Sequence, residues 1–308
     1  MKYLDGFKPE NVHFTWSSKN EPVLAVDDGE ELAVSVPDAS TSQIREGWTT
    51  EDLEKIDESR LDGAVGPIYV RGAKRGSALE VDVEEVRPGR WGWTAVMKGF
   101  GVLDGLFAER LVIWDIGEGY ATTRGDFLRG VRVPLNPFLG VIGVAPEAGE
   151  YDVIPPQRFG GNMDNRLLTA GTRLLLPVEV DGALLSVGDP HASQGDGEVC
   201  GTAIETSAEV RMRVKVRDGL KLSYPVAYVP APRPTRGEML VAMGISGDLR
   251  EAMSTSVRNL IDMVAAHGFS RDEAYVLMSV CGEVRVSEAV DMPNFTVSSA
   301  VPLEVLNR

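Results

Sequence analysis

Between residues 188 and 205 the chain reads GDPHASQGDGEVCGTAIE, a stretch that brings Asp189, His191, Gln194, Asp196, Glu198 and Glu205 close together in sequence. Glycine tolerates positive φ and Asp bonds its own backbone, so turn chemistry explains the glycines and some aspartates but not the His, Gln and Glu beside them. Asp189 and His191 stand two apart, as do Asn162 and Asp164 in GGNMDNR at 160–166. In extended backbone each pair projects from one face. Two such pairs on neighbouring strands can converge on a cation, with Glu205 or Glu198 completing the shell. One neutral imidazole among carboxylate and amide oxygens suits zinc, manganese or calcium rather than a thiolate-selected metal. The plain alternatives are a hairpin connection with polar decoration for 188–205 and an Asx turn for GGNMDNR.

Cys200 is the rival centre, since a cysteine nucleophile also performs acyl transfer. It needs a base or a cationic neighbour, which His191 could supply, but the surrounding acids disfavour a thiolate. The chain has only two other histidines. His267 falls at the end of a helical pattern, a structural position, while His13 in HFTW either packs beside Trp16 or faces the site. The aromatics of RPGRWGWTAV and GLFAERLVIW read as packing between sheets, with the wall of a small apolar pocket as the alternative. There is no phosphate loop, nucleophile elbow or calcium-hand spacing, and GFGVLDG lacks what a dinucleotide fingerprint requires.

These residues must be held by something, and the pattern around them is short strands. NVHFTW, EPVLAV, ELAVSV, GPIYVRG, ALEVDVEEV, RLVIWDI, GVRVPL, TRLLLPVEV and EVRMRVKV alternate and are punctuated by Gly, Pro and Asp. The acidic run TTEDLEKIDESRLDG predicts a short surface helix capped at Thr49 or Thr50. After the proline-rich PAPRPTRGEML, the spacing of Leu249, Met253, Val257, Leu260, Ile261 and Val264 predicts an amphipathic helix ending near Gly268. A second helix follows with Ser270 and Glu273 as a capping box, and the end returns to strand-like alternation. The expected fold is mainly β: a jelly-roll or sandwich-like domain over 1–150, a second β-rich part over 151–232 that carries the site loops, and a small α+β part over 233–308.

The chain has 308 residues, 46 acidic against 31 basic, for a net charge of −15. Such a surface repels nucleic acid and anionic membranes, so neither is an expected partner. Two cysteines without CxxC spacing, no leader-like start and no apolar run near the ~18 residues of a membrane span point to a cytoplasmic protein. Many strand edges make a homo-oligomer, a dimer, the expected assembly.

The segment 188–205 resembles the most distinctive block of the acetamidase/formamidase family. GPIYVRGAKRGSALEVDV, PFLGVIGVAP and GGNMDNR resemble further blocks in the same order. HFTW, EPVLAV and PDASTSQI resemble the N-terminal signature and AYVLMSVCGEVRVSEAVD the C-terminal one, so the likeness runs from His13 to Asp291. The C-terminal block departs from the pattern at Gly282, Glu283 and Glu288, in a region that reads as structural. The resemblance implies a mostly β hydrolase of short linear amides, formamide or acetamide, that releases carboxylate and ammonia. It also implies a divalent metal, zinc foremost with calcium or manganese as alternatives, and some members take lactams. On that reading Asp164, Asp189 and His191 hold the metal with Asn162 or Glu205. Glu198 is the general base, Gln194 or loop N–H groups steady the oxyanion, and Asp196 is counted among the catalytic residues. The competing class is a non-catalytic β-sandwich stiffened by structural calcium.

Overall fold

A computed structural model describes residues 1–230 and 237–306. The proline-rich connector expected around 230–236 lies almost wholly outside the described residues. Among them two large sheets dominate, as the alternating pattern requires.

In the first sheet the nine strands run in the order Lys2–Asp5, Glu31–Val36, Ala208–Arg217, Ala78–Pro88, Arg173–Pro177, Val226–Val229, Met239–Ser246, Phe295–Pro302 and Glu283–Glu288. Ala208–Arg217 shows why it is stable. Ala208, Val210, Met212 and Val214 are buried, while Arg211, Arg213, Lys215 and Arg217 alternate with them on the other face. Those cations meet acids across the strand pairs, Arg211 with Glu85 at 3.0 Å, Lys215 with Asp82 at 2.5 Å and Arg217 with Glu80 at 2.6 Å. Met239–Ser246 does not alternate, because it is covered on both faces. Val241 and Met243 join the core between the sheets, while Leu240 and Ala242 pack under the helices α1 (Leu249–Ala265) and α2 (Arg271–Cys281).

Both helices start as the sequence predicts. Asp248 caps α1 by accepting from the Glu251 N–H, and Ser270 and Glu273 form a reciprocal capping box on α2. The acidic run forms two short 3₁₀ helices, Thr50–Lys55 and Glu58–Arg60, the first with Thr49 at its N-cap as the sequence predicts, rather than one continuous helix. Its buried leucines, Leu53 and Leu61, have no other buried residue between them, so there is no stripe against which a longer helix could pack.

The second sheet is built around Leu185–Ser193. On one side this strand pairs with Phe138–Gly143, and beyond that with Gly160–Asn162. On the other lie Ile204–Glu205, Trp91–Val96, Arg110–Ile116, Tyr120–Thr123 and Val133–Pro134. Ala64–Val70 also pairs with Leu185–Ser193 and carries the short strands Val12–His13 and Leu24–Val26. Residues of both sheets, among them Val81, Val210, Met212, Val141, Leu185 and Val187, form one continuous core. The first sheet draws strands from all three of the segments 1–150, 151–232 and 233–308, so those segments do not each own a sheet. No helix among the described residues is long and apolar enough to cross a membrane.

Candidate metal centre and active site

The strand Leu185–Ser193 sets the site. Asp189 and His191 share one of its faces, and the register places His191 opposite Phe138 on one neighbour and opposite Glu205 on the other. Across Phe138–Gly143, Val141 pairs with Asn162, which brings GGNMDNR alongside and Asp164 over the same spot. Glu198 arrives on the loop between Ser193 and Ile204. The five groups meet: His191 Nε2 lies 2.8 Å from Asp189 Oδ2, 3.0 Å from Glu205 Oε2, 3.8 Å from Asp164 Oδ1 and 3.9 Å from Glu198 Oε1. All five are buried.

Gly140 makes this approach possible. A Cβ there would collide with both Asp189 Oδ2 and Asp164 Oδ1, so the backbone of Phe138–Gly143 is the floor on which two carboxylates rest. The acids themselves sit on unusual backbone. Asp62, Asp164, Asp189 and Glu198 all have positive φ, at 51°, 41°, 48° and 47°. Left-handed conformations cost non-glycine residues of order 1–3 kcal/mol each and persist where surrounding structure enforces them, commonly at functional sites.

The electrostatics follow from burial and crowding. Burial alone would lower the pKa of His191, but the charges of Asp189 and Glu205 hold it well above its ordinary value. Burial, reinforced by the charge of Asp189, pushes Asp164 up to about 6. Glu198 stands well above the carboxylate range through burial and the nearby Asp164, and burial raises Glu205 against the pull of His191. Asp189 alone is drawn down, because the imidazole beside it overcomes burial.

The hydrogen bonds show what is missing from so acidic a cluster. Gln194 uses its amide N–H groups on the carbonyls of Asp164, at 2.7 Å, and Ser287, at 3.3 Å, leaving Oε1 to accept from His191 Nδ1 at 2.8 Å. With Nδ1 donating to Gln194, Nε2 faces the carboxylates; the crowded acids favour a second proton there, and a cation bound among them would replace that proton and be met by the Nε2 lone pair. His191 Nε2, both oxygens of Asp164, Asp189 Oδ1 and Glu205 Oε2 make no hydrogen bond although they are buried. Two triads, Asp164–His191–Glu198 and Asp189–His191–Glu205, have ligand atoms within 4.8 Å of one another. One imidazole and several carboxylates, with the second imidazole nitrogen fixed by an amide, match the donor set of a hard or borderline divalent ion.

The remaining candidates divide between the edge of the cluster and positions away from it. Asn162 reaches the same cavity, where its Nδ2 donates to Asp291 at 2.8 Å and its Oδ1 has no partner. Gln194 is not placed to meet an oxyanion, because its whole amide is committed to His191 and two carbonyls. Asp196 does not join the cluster: it is partly exposed, paired with Arg166 at 2.7 Å and Arg285 at 2.9 Å. Burial would raise its pKa, but the two guanidinium groups hold it down. His13 packs edge-on to Trp16 with ring centroids 5.5 Å apart, and its Nε2 bonds Ser186 Oγ. Cys200 is half-buried and its thiol donates to the Thr202 carbonyl.

Sequence reasoning missed Asp62, Glu288, Asp291 and the role of Gly140. Asp62 ends a run of acids that looks solvated, yet it lines the cavity, and burial plus the charge of Asp189 raises its pKa well above normal. Glu288 and Asp291 lie in the segment read as structural. Glu288 is buried, with its carboxyl pushed up to about 8 by burial, and accepts from the N–H groups of Val290 and Asp291. Asp62 and Asp291, with Asp164, Asp189, Glu198 and Glu205, line a cavity of about 30 Å³, walled on its apolar side by Trp93, Met97 and Phe100. Trp93 is thus both core packing and pocket wall.

The chain matches the model of the acetamidase/formamidase family over residues 6–153 and 148–308. A formamidase of Methylophilus methylotrophus is 27% identical over 366 residues, covering 96% of this chain and 89% of that protein. Among solved structures, an acetamidase from Bacillus halodurans superposes with a TM-score of 0.89 at 30% identity, covering 99% of this chain and 100% of that one. A predicted acetamidase/formamidase from Thermoanaerobacter tengcongensis gives a TM-score of 0.89 at 33% identity, with 99% and 97% covered.

Proposed function

Because the chain belongs to the acetamidase/formamidase family and is an amidohydrolase of linear amides, we propose that it hydrolyses formamide and acetamide with a divalent ion, zinc foremost, at the His191 cluster. The observation that carries the metal reading is the set of buried carboxylate oxygens without hydrogen bonds gathered around His191 Nε2, on a ring oriented by Gln194. Asp164, Asp189, His191 and Glu205 would hold the ion, with Asn162 Oδ1 in reach of the same cavity. Such an ion supplies Lewis-acid polarisation of the amide carbonyl and lowers the pKa of water.

The protein's own groups do the rest. Glu198 is buried beside the cluster in surroundings that raise its proton affinity, so it can take the proton of the attacking water and keep it until the amide nitrogen needs it. Delivery of that proton lets the nitrogen depart as ammonia rather than as an amide anion. Gln194 fixes the orientation and tautomer of His191 and holds the Asp164 backbone in place. Trp93, Met97 and Phe100 exclude bulk water from one side, which strengthens every charge interaction within.

The test is ammonia release from formamide, acetamide, propionamide and a set of lactams by the purified protein, before and after chelation and with zinc, manganese or calcium restored. Turnover of the linear amides that is lost on chelation and recovered with one ion is the expected result. Turnover indifferent to thorough metal removal would overturn the metal reading, and lactams turned over better than any linear amide would displace the substrate assignment.

A further inference from the structure

Beyond the small cavity lies a much larger one. The hairpin connection between Trp91–Val96 and Arg110–Ile116 folds over the loop that carries Glu198. The Val102 N–H donates to the Val199 carbonyl at 3.0 Å. Two glycines permit the contact: a Cβ at Gly101 would lie 3.0 Å from the Cys200 carbonyl oxygen, and one at Gly201 would lie 2.8 Å from Phe100 Cβ. Both have positive φ, 93° and 98°. On the outer side of this junction is an apolar pocket of about 680 Å³, with Val96, Val102, Leu103, Phe107, Val199 and Cys200 in its walls.

Phe100 and Met97 line both this pocket and the cavity of about 30 Å³ that holds the acids. They are the partition between a polar chamber with room for a few small atoms and an apolar chamber with room for an extended alkyl chain. Phe100 is half-buried, and its Cβ occupies the space that a side chain at Gly201 would need, so the two loops pack backbone to side chain at this point.

We propose that Phe100, seconded by Met97, is the residue that limits the acyl group to one or two carbons, and that the outer pocket is an unused binding site for longer aliphatic amides. The inference rests on the reading of the His191 cluster as the amide-hydrolysing site. A short acyl group ends at the Phe100 ring, while each further methylene must displace that ring or remain outside. Removal of the ring joins the chambers and offers the alkyl chain an apolar wall in place of water. Discrimination of about 10-fold or more for each methylene is what hydrophobic pockets ordinarily deliver.

The experiment is the chain-length profile of kcat/KM for unbranched amides from formamide to hexanamide, measured on the wild type, Phe100→Ala, Met97→Ala and His191→Ala, with bound metal and thermal unfolding recorded for each. The wild type should fall steeply beyond acetamide. Phe100→Ala should raise the hexanamide-to-acetamide ratio by about 10²-fold or more, and Phe100→Ala with Leu103→Trp, which refills the outer pocket, should reverse the gain. Should Phe100→Ala fail to fold, Phe100→Leu and Met97→Ala carry the test, each with a smaller shift in the same direction. Folded, metal-loaded variants with the wild-type profile would overturn the proposal. If instead His191→Ala hydrolyses acetamide as well as the wild type, the site assignment falls, and that failure is distinct from an unmoved chain-length profile.

Discussion

Gly140→Ala is the most economical probe of the site, because it adds one methyl group and nothing else. Gly140 does not occupy the left-handed region, so the backbone accepts alanine without strain. The whole effect comes from where the Cβ lands, against Asp189 Oδ2 and Asp164 Oδ1. Neither carboxylate can yield freely, since Asp189 is also 2.8 Å from His191 Nε2 and Asp164 has its backbone carbonyl tied to Gln194. Restoring ordinary contact distances therefore moves at least one carboxylate by about 1 Å, and a displacement of that size at a reacting centre costs about 10²-fold in rate. That corresponds to about 2.7 kcal/mol of lost transition-state stabilisation. The assay is kcat/KM for acetamide alongside metal content and thermal unfolding, with Gly195→Ala as control. Gly195 lies in the same loop region as Glu198, and a Cβ there meets nothing within 4 Å. The expected result is a loss of about 10²-fold, or loss of bound metal, in Gly140→Ala with a near-normal melting temperature, and no change in Gly195→Ala. A metal-loaded Gly140→Ala enzyme within twofold of the wild type would refute the reasoning that these two carboxylates are positioned by that floor.

Glu198→Gln should lower kcat by about 10²–10⁴-fold, the usual share of a general base, while leaving bound metal in place; loss of metal with it would make Glu198 a ligand instead. Gln194→Ala should weaken metal affinity by about 10–100-fold, because the imidazole loses the acceptor that fixes its Nδ1 proton, and titration with a competing chelator reads this directly. Asp196→Asn should change activity by no more than a few-fold, since its carboxylate serves partly exposed ion pairs with Arg166 and Arg285 that are individually worth about 0–1 kcal/mol. His13 gives a pH prediction: burial lowers its pKa to about 4 in the folded chain, against about 6.5 when unfolded. The unfolded state then binds the proton first, so this contribution to stability is fully present above pH ~6.5 and is lost as pH falls through about 4, by about 3 kcal/mol in all. Denaturant unfolding of the wild type and His13→Gln between those pH values should show a shallower slope for the variant, and equal slopes would remove His13 from the acid sensitivity.

Much of this protein is legible in its residues. Alternation in EVRMRVKV specifies a strand with a charged outer face, and the stripe from Leu249 to Val264 and the Ser270–Glu273 box specify two helices, because local periodicity and capping depend only on near neighbours. The cluster was also partly visible, since the two-residue spacing of Asp189 and His191 becomes a shared face as soon as the backbone is extended. What depended on tertiary structure was which ligand-type residues face inward. Asp196 and Glu198 differ by two positions in the same loop, yet one lies between two arginines at the surface and the other beside His191, because the loop turns at the positive φ of Glu198. Gln194 reads as a substrate contact until the fold places the carbonyls of Asp164 and Ser287 beside it. Asp291 reaches its partner Asn162 from 129 residues away in sequence, and Glu288 comes with it, through the pairing of Glu283–Glu288 at the edge of the other sheet. Gly140 is an unremarked glycine in an apolar strand until two carboxylates from different segments are laid across it. Burial, charge crowding and steric contact are properties of the assembled neighbourhood, and no local pattern encodes them.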